Sequence, residues 1–231
     1  MHRHSHDDLR ALAAKLTAMG ELVESRVQDA MTALLERQGD LAVRVATGDA
    51  AVNALELEVD DLCMKFLALQ SPVASDLRLV RSIIKVNTDL ERIGDQAVNI
   101  AQTVVRLLGS APLRPTIEIG LLGETAIGML HDSLIAFVTE DVARARAVLE
   151  RDDMADGLRD SIFRVLLTHM MADPSVIERA FGLTLVSRNL ERIADHATNI
   201  AEEAIFVAEG RVVRHGGGGA GGVGVTGHPA V

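Results

Sequence analysis

Asp89-Leu90-Glu91-Arg92-Ile93-Gly94-Asp95-Gln96-Ala97-Val98-Asn99-Ile100-Ala101 recurs 100 residues later as Asn189-Leu190-Glu191-Arg192-Ile193-Ala194-Asp195-His196-Ala197-Thr198-Asn199-Ile200-Ala201. Nine of these 13 positions are identical, while across the 14 positions upstream only Ser75/Ser175 and Val86/Val186 match. Leu90, Ile93 and Ala97, with Leu190, Ile193 and Ala197, fall at the three- and four-residue steps of a helical packing seam. A duplicated helical unit follows from this pair, and the seam residues are expected to be buried.

The sequence on either side is cut at matching places by glycine and proline, which end helices. Helices are expected over about 7–38, stopping at Gly39; 40–70, stopping before Pro72; and 75–108. After Gly109-Ser110-Ala111-Pro112-Leu113-Arg114-Pro115 come 116–139, 141–172 and, past Asp173-Pro174, 175–209. Short connections make sequential helices antiparallel. The expected fold is all-α, two tandem three-helix bundles built from six long antiparallel helices. The bundles span 7–108 and 116–209, joined by a linker at 109–115. Residues 1–6 and the glycine-rich tail 210–231 are expected to be disordered.

Composition agrees. The 231 residues contain no Trp or Tyr and five Phe, so the core must be aliphatic, and the aromatic and turn signals of β folds are missing. A net charge of −10 gives no basic footprint for nucleic acid. The lone Cys63 excludes an intrachain disulfide and, set in an apolar helical run, reads as an inert buried thiol. Residues 1–6 lack the apolar core of a secretory signal, and no uncharged apolar stretch approaches the ~20 residues of a membrane span. A cytoplasmic protein is expected, touching membranes only through partners.

The duplicated segment also carries acids. Glu91, Asp95 and Asn99 recur every four residues, about 100° around the helix from Leu90, and Glu191, Asp195 and Asn199 repeat them. Carboxylates at this spacing lie ~5–6 Å apart and either repel or share a cation. The preceding helix of each half adds acids at helical spacing: Asp49, Asn53, Glu56 and Asp60 in the first, Asp152, Asp156 and Asp160 in the second. Oxygen-only ligands suit Mg²⁺, Ca²⁺, Mn²⁺ or iron better than copper or structural zinc. The competing reading is a solvated face on which Arg92 and Arg192, three residues before Asp95 and Asp195, pair with the acids.

Nucleophilic catalysis has no G-x-S-x-G elbow or P-loop to support it. A ferritin-like or oxidase-type iron protein, the alternative from another class, would want Glu-x-x-His pairs, and no histidine has Glu three residues before it. His131, His169 and His196 read as structural.

Gln70-Ser-Pro-Val-Ala-Ser-Asp-Leu-Arg-Leu-Val-Arg81, followed by Asp89-Leu-Glu-Arg-Ile-Gly-Asp95 and its second copy Asn189-Leu-Glu-Arg-Ile-Ala-Asp195, strongly resembles the PhoU family of phosphate-signalling regulators. The resemblance spans roughly residues 5 to 210. It implies two three-helix bundles in a cytoplasmic, non-enzymatic, homodimeric negative regulator of phosphate uptake and phosphate-starvation signalling. Such proteins act between the phosphate ABC transporter ATPase and a sensor histidine kinase. It also implies metal (iron, manganese, magnesium or zinc) on E/D-x-x-x-D motifs, which here are Glu91 with Asp95, Glu191 with Asp195, and Asp152 with Asp156. The first half departs from the last motif: allowing a three-residue indel, Asn53 matches Asp156, and Glu56 stands where the second half has Arg159. The two sites need not be equivalent.

Overall fold

The computed structural model describes residues 2–70, 72–113 and 116–213. Eight α-helices follow in order: α1 (His2–Leu35), α2 (Gly39–Thr47), α3 (Ala50–Leu69), α4 (Ala74–Leu107), α5 (Thr116–Thr139), α6 (Val142–Leu149), α7 (Asp152–Ala172) and α8 (Ile177–Glu209), with one 3₁₀ turn at Pro174–Val176. No strand occurs among the described residues. The expected disorder over 214–231 lies outside them. At the other end, α1 starts at His2 rather than near Asp7, as no proline or glycine precedes Gly20 to interrupt it.

Two three-layer bundles result, α1 with α2–α3 and α4, and α5 with α6–α7 and α8. The second and fifth helical runs, expected to be unbroken, are each split once. At Gly48 the N–H turns back to the Val45 carbonyl at 3.3 Å, a 3₁₀ closure. The buried guanidinium of Arg26 lies against Gly48, where a Cβ would collide with it and would stand 2.9 Å from the Arg44 carbonyl. In the second half the Arg151 N–H closes on Val148 at 3.0 Å while its side chain pairs with Asp132 on α5. The duplication extends to helix ends. Arg37 and Glu140 both take left-handed φ values, 57° and 54°, after α1 and α5. The next amide in each case returns to a carbonyl five residues back, Gln38 to Ala33 and Asp141 to Ala136, each at 3.0 Å.

The core is aliphatic and continuous through both halves. Leu90, Ile93 and Ala97, and Leu190, Ile193 and Ala197, are all fully buried. On α4, Ser82, Asn87, Gln96 and Thr103 are buried too, because α4 packs on α8 as well as on the helices of its own bundle. The α4–α8 pair is the main seam between halves, with α1 against α5 beside it. By length and composition Ile117–Thr139 in α5 could cross a membrane, but half of its apolar window is buried against neighbouring helices.

Candidate functional site

Each half places one acid cluster between its broken helix and its long last helix. In the first half, Asn87 of α4 is buried and donates from Nδ2 to the Glu56 carbonyl at 3.0 Å and to Asp60 Oδ1 at 3.3 Å, fixing α3 against α4. Arg26 approaches Asp49 at 4.0 Å, and Asn53 donates to Asp49 at 3.1 Å. These contacts hold the α3 acids near Glu91 and Asp95. Burial raises the Glu91 carboxyl above the ordinary 4.5, and the charges of Asp95, Glu56 and Asp49 add to this against the opposing pull of Arg92. Arg92 lies 3.3 Å from Glu91 Oε2 and 3.5 Å from Asp95 Oδ2, with its own side chain 57% exposed.

In the second half, Glu191, Asp195 and Asp156 come together, but a cation already stands among them. Arg159 of α7 points Nη1 at Glu191 Oε1 (3.3 Å) and Nη2 at Asp156 Oδ1 (3.5 Å) and Asp160 Oδ1 (3.2 Å). Burial and the Asp195 charge raise the Glu191 carboxyl, with Arg159 opposing. Asp195, although its side chain reaches the surface, is also raised, first by the dense packing around it and then by Asp156. Arg159, Asp160, Glu191 and Asp195 line a groove of about 510 Å³ that Phe163 and Arg188 also enter.

Asp152, expected with Asp156, begins α7 a full turn earlier; it matches Asp49 of the first half. The asparagines part from the stripe. Asn99 is exposed, and Asn199 donates across the α4–α8 seam to Asp89 Oδ1 at 3.3 Å, next to His196 Nδ1 at 2.8 Å from the same oxygen. Among the described residues no three Asp, Glu, His or Cys side chains are gathered as ligands of one ion. The first-half donors are oxygens alone and suit a hard cation, as a carboxylate pair with two further acids in electrostatic reach rather than a closed shell. In the second half Arg159 stands on the Glu191, Asp156 and Asp160 carboxylates, so a cation there would have to displace a guanidinium that comes from the facing helix. Neither cluster lies in a bundle interior, as a ferritin-like centre would require.

Sequence reasoning missed a third cluster. Glu203 of α8 is buried and accepts from Arg81 (2.9 Å), Ser82 Oγ (2.7 Å) and Lys85 (2.6 Å) of α4. Its signal was asymmetry: the positions 100 residues away are Thr103, Phe181, Gly182 and Leu185. Cys63 is buried, and burial followed by the Asp60 charge pushes its thiol up to about 12, consistent with an inert role.

The duplicated bundles with their paired acid clusters have close counterparts. The family model for the PhoU domain matches twice, over residues 16–104 and 119–204. The chain belongs to the PhoU family. It is 41% identical to the phosphate-specific transport system accessory protein PhoU homolog of Pseudomonas putida over 210 residues, 90% of this chain and 82% of that one. The Aquifex aeolicus PhoU homolog is 38% identical over 208 residues, covering 90% and 94%. Crystal structures of PhoU from Pseudomonas aeruginosa (TM-score 0.87, 38% identity, 89% of this chain and 99% of that one) and Streptococcus pneumoniae (0.85, 27%, 91% and 99%) share the architecture. PhoU membership also agrees with the Gln70–Arg81 and Glu-Arg-Ile-x-Asp motifs that carried the resemblance.

Proposed function

We propose that this PhoU-family chain is a regulatory accessory protein of a phosphate-specific transport system, one that represses phosphate uptake and phosphate-starvation signalling when phosphate is plentiful. The supporting observation is near-full-length identity to proteins named for that system, 41% across 90% of the chain. In this reading it is a cytoplasmic homodimer that bridges the transporter ATPase and a sensor histidine kinase, and it regulates rather than catalyses. The first-half cluster of Glu91, Asp95, Glu56 and Asp49 binds iron, manganese, magnesium or zinc. A cation there relieves carboxylate repulsion and ties α3 to α4, so the bound state alters the surface offered to a partner.

The test has two parts. Deleting the gene should switch on a phosphate-starvation reporter in phosphate-rich medium, and the wild-type copy should silence it again. Purified ATPase and kinase should each retain the protein, more weakly with chelator present. A reporter indifferent to the deletion, or no retention by either partner, refutes the proposal.

A further inference from the structure

The two acid clusters descend from one duplicated unit, yet the broken helix of each half brings different charges to its long helix. At an offset of 103 residues the buried Val52, Val59 and Cys63 of α3 superpose in register on Ala155, Ile162 and Leu166 of α7. The same register sets Glu56 opposite Arg159, and Asp49 and Asn53 opposite Asp152 and Asp156. Where the first half brings a fourth carboxylate to the long helix, the second brings a guanidinium. We infer that Arg159 is a tethered counter-cation that closes the second acid cluster to metal ions, leaving this duplicated protein one cation-binding half instead of two. The inference deepens the metal part of the proposed function and rests on it for the first half.

Three observations carry it. First, Arg159 engages carboxylates from both helices, Glu191 on α8 and Asp156 and Asp160 on α7, so a metal there would compete with the guanidinium for the same side chains. Arginine stays charged at any working pH, so it cannot step aside by losing a proton. A metal ~2.0–2.6 Å from those oxygens would stand within a few ångströms of that fixed charge. Second, Arg159 is held in place: its side chain is 34% exposed, and Nε is buried without a hydrogen-bond partner. Third, among the described residues no arginine of the first half bridges acids of both helices: Arg26 of α1 reaches Asp49 alone, at 4.0 Å. Arg92 does touch Glu91 and Asp95, but it rises from their own helix, is 57% exposed, and can swing into water.

Mn²⁺ binding to the full-length protein, counted by equilibrium dialysis and by loss of the free-ion paramagnetic resonance signal, tests this. Saturable binding to the wild type should vanish with Glu91→Gln plus Asp95→Asn. In that background Arg159→Glu should create a new site, at least about tenfold tighter than any residual second-half affinity, and Glu191→Gln should remove it. Arg159→Gln, which removes the charge without adding a ligand, should shift affinity the same way by less; it keeps the test intact if the glutamate variant misfolds. Saturable binding that survives first-half neutralisation and disappears with Glu191→Gln would overturn the inference, as would no gain in either Arg159 variant whose circular dichroism matches wild type. A wild type that binds no Mn²⁺ while Arg159→Glu does would refute the first-half cation site and uphold the role of Arg159.

Discussion

The hydroxyl of Ser82 on α4 donates to Oε2 of Glu203 on α8 at 2.7 Å, joining the two halves through a buried carboxylate. Arg81 and Lys85 complete the set, and Arg81 also stacks 4.5 Å over the Phe206 ring. On the symmetry-related side the same seam is apolar: a Cβ on Gly182 would stand 3.0 Å from Leu107. Glu203→Ala leaves the buried Ser82 hydroxyl unpaired and should cost about 1–3 kcal/mol, at the low end because Arg81 and Lys85 are half-exposed and can rehydrate. A chain of this size should melt ~2–4 °C lower per kcal/mol. Scanning calorimetry checks this, and an unmoved transition would mean that the seam holds through apolar packing alone.

Leu90 and Leu190 are fully buried at equivalent points of the two copies. Leu90→Ala should cost about 2–5 kcal/mol through lost burial and the cavity left behind, and Leu190→Ala a similar amount. Urea denaturation of each single variant measures both. A loss below ~1 kcal/mol at either site would show that the core there collapses around the gap.

Most of the architecture could be read because its signals are local. Gly39, Pro72, the 109–115 stretch and Pro174 stop helices wherever they occur, and the seam leucines sit at helical period. The breaks at Gly48 and at Glu150–Arg151 escaped because their causes are tertiary: Arg26 packs on one and Asp132 draws in Arg151 at the other. An isolated glycine is tolerated in a helix, and Glu-Arg is no breaker at all. Glu91, Asp95, Glu191 and Asp195 were legible from their spacing and repetition. Arg159 was legible only as an exchange for Glu56. That its guanidinium occupies the cluster depends on how α7 is rotated against α8, which no one-dimensional pattern states.

Two exposed positions carry opposite backbone demands. Gly157 lies within α7, and no neighbouring atom comes within 4 Å of the place a Cβ would take, so Gly157→Ala should stabilise by about 0.4–1 kcal/mol by restricting the unfolded chain. Glu140 holds φ at 54°, a conformation that side chains resist, so Glu140→Gly should gain ~0.5–1 kcal/mol in spite of glycine's entropy. Thermal melts of both variants should rise. A fall for Glu140→Gly would show that its carboxylate makes a compensating interaction in solution.

The acid clusters should leave a signature in the pH dependence of stability. Burial and neighbouring acids raise Glu91 and Glu191 above 4.5 and Asp195 above 3.8, so the folded chain holds these protons more tightly than the unfolded chain. Between the ordinary and raised values the folded state binds more protons, and stability must fall as pH rises through that window. The stabilising protonation is complete below the ordinary values and gone above the raised ones. Asp132 works in the other direction: burial pushes its carboxyl up, but hydrogen bonds and charge from Arg151 and Arg144 outweigh this and hold it below 3.8. Its contribution is present above 3.8 and lost as pH falls through its lowered value. Melting temperature should therefore climb as pH drops from neutrality toward the ordinary carboxylate range, then turn down on further acidification. Glu91→Gln with Glu191→Gln removes two of the raised groups and should flatten the climb while leaving the acid downturn. Calorimetry from neutrality to about pH 2 on wild type and variant decides it. Parallel profiles would show that solvent and the nearby arginines already screen these carboxylates, and that they store no repulsion for a cation to relieve.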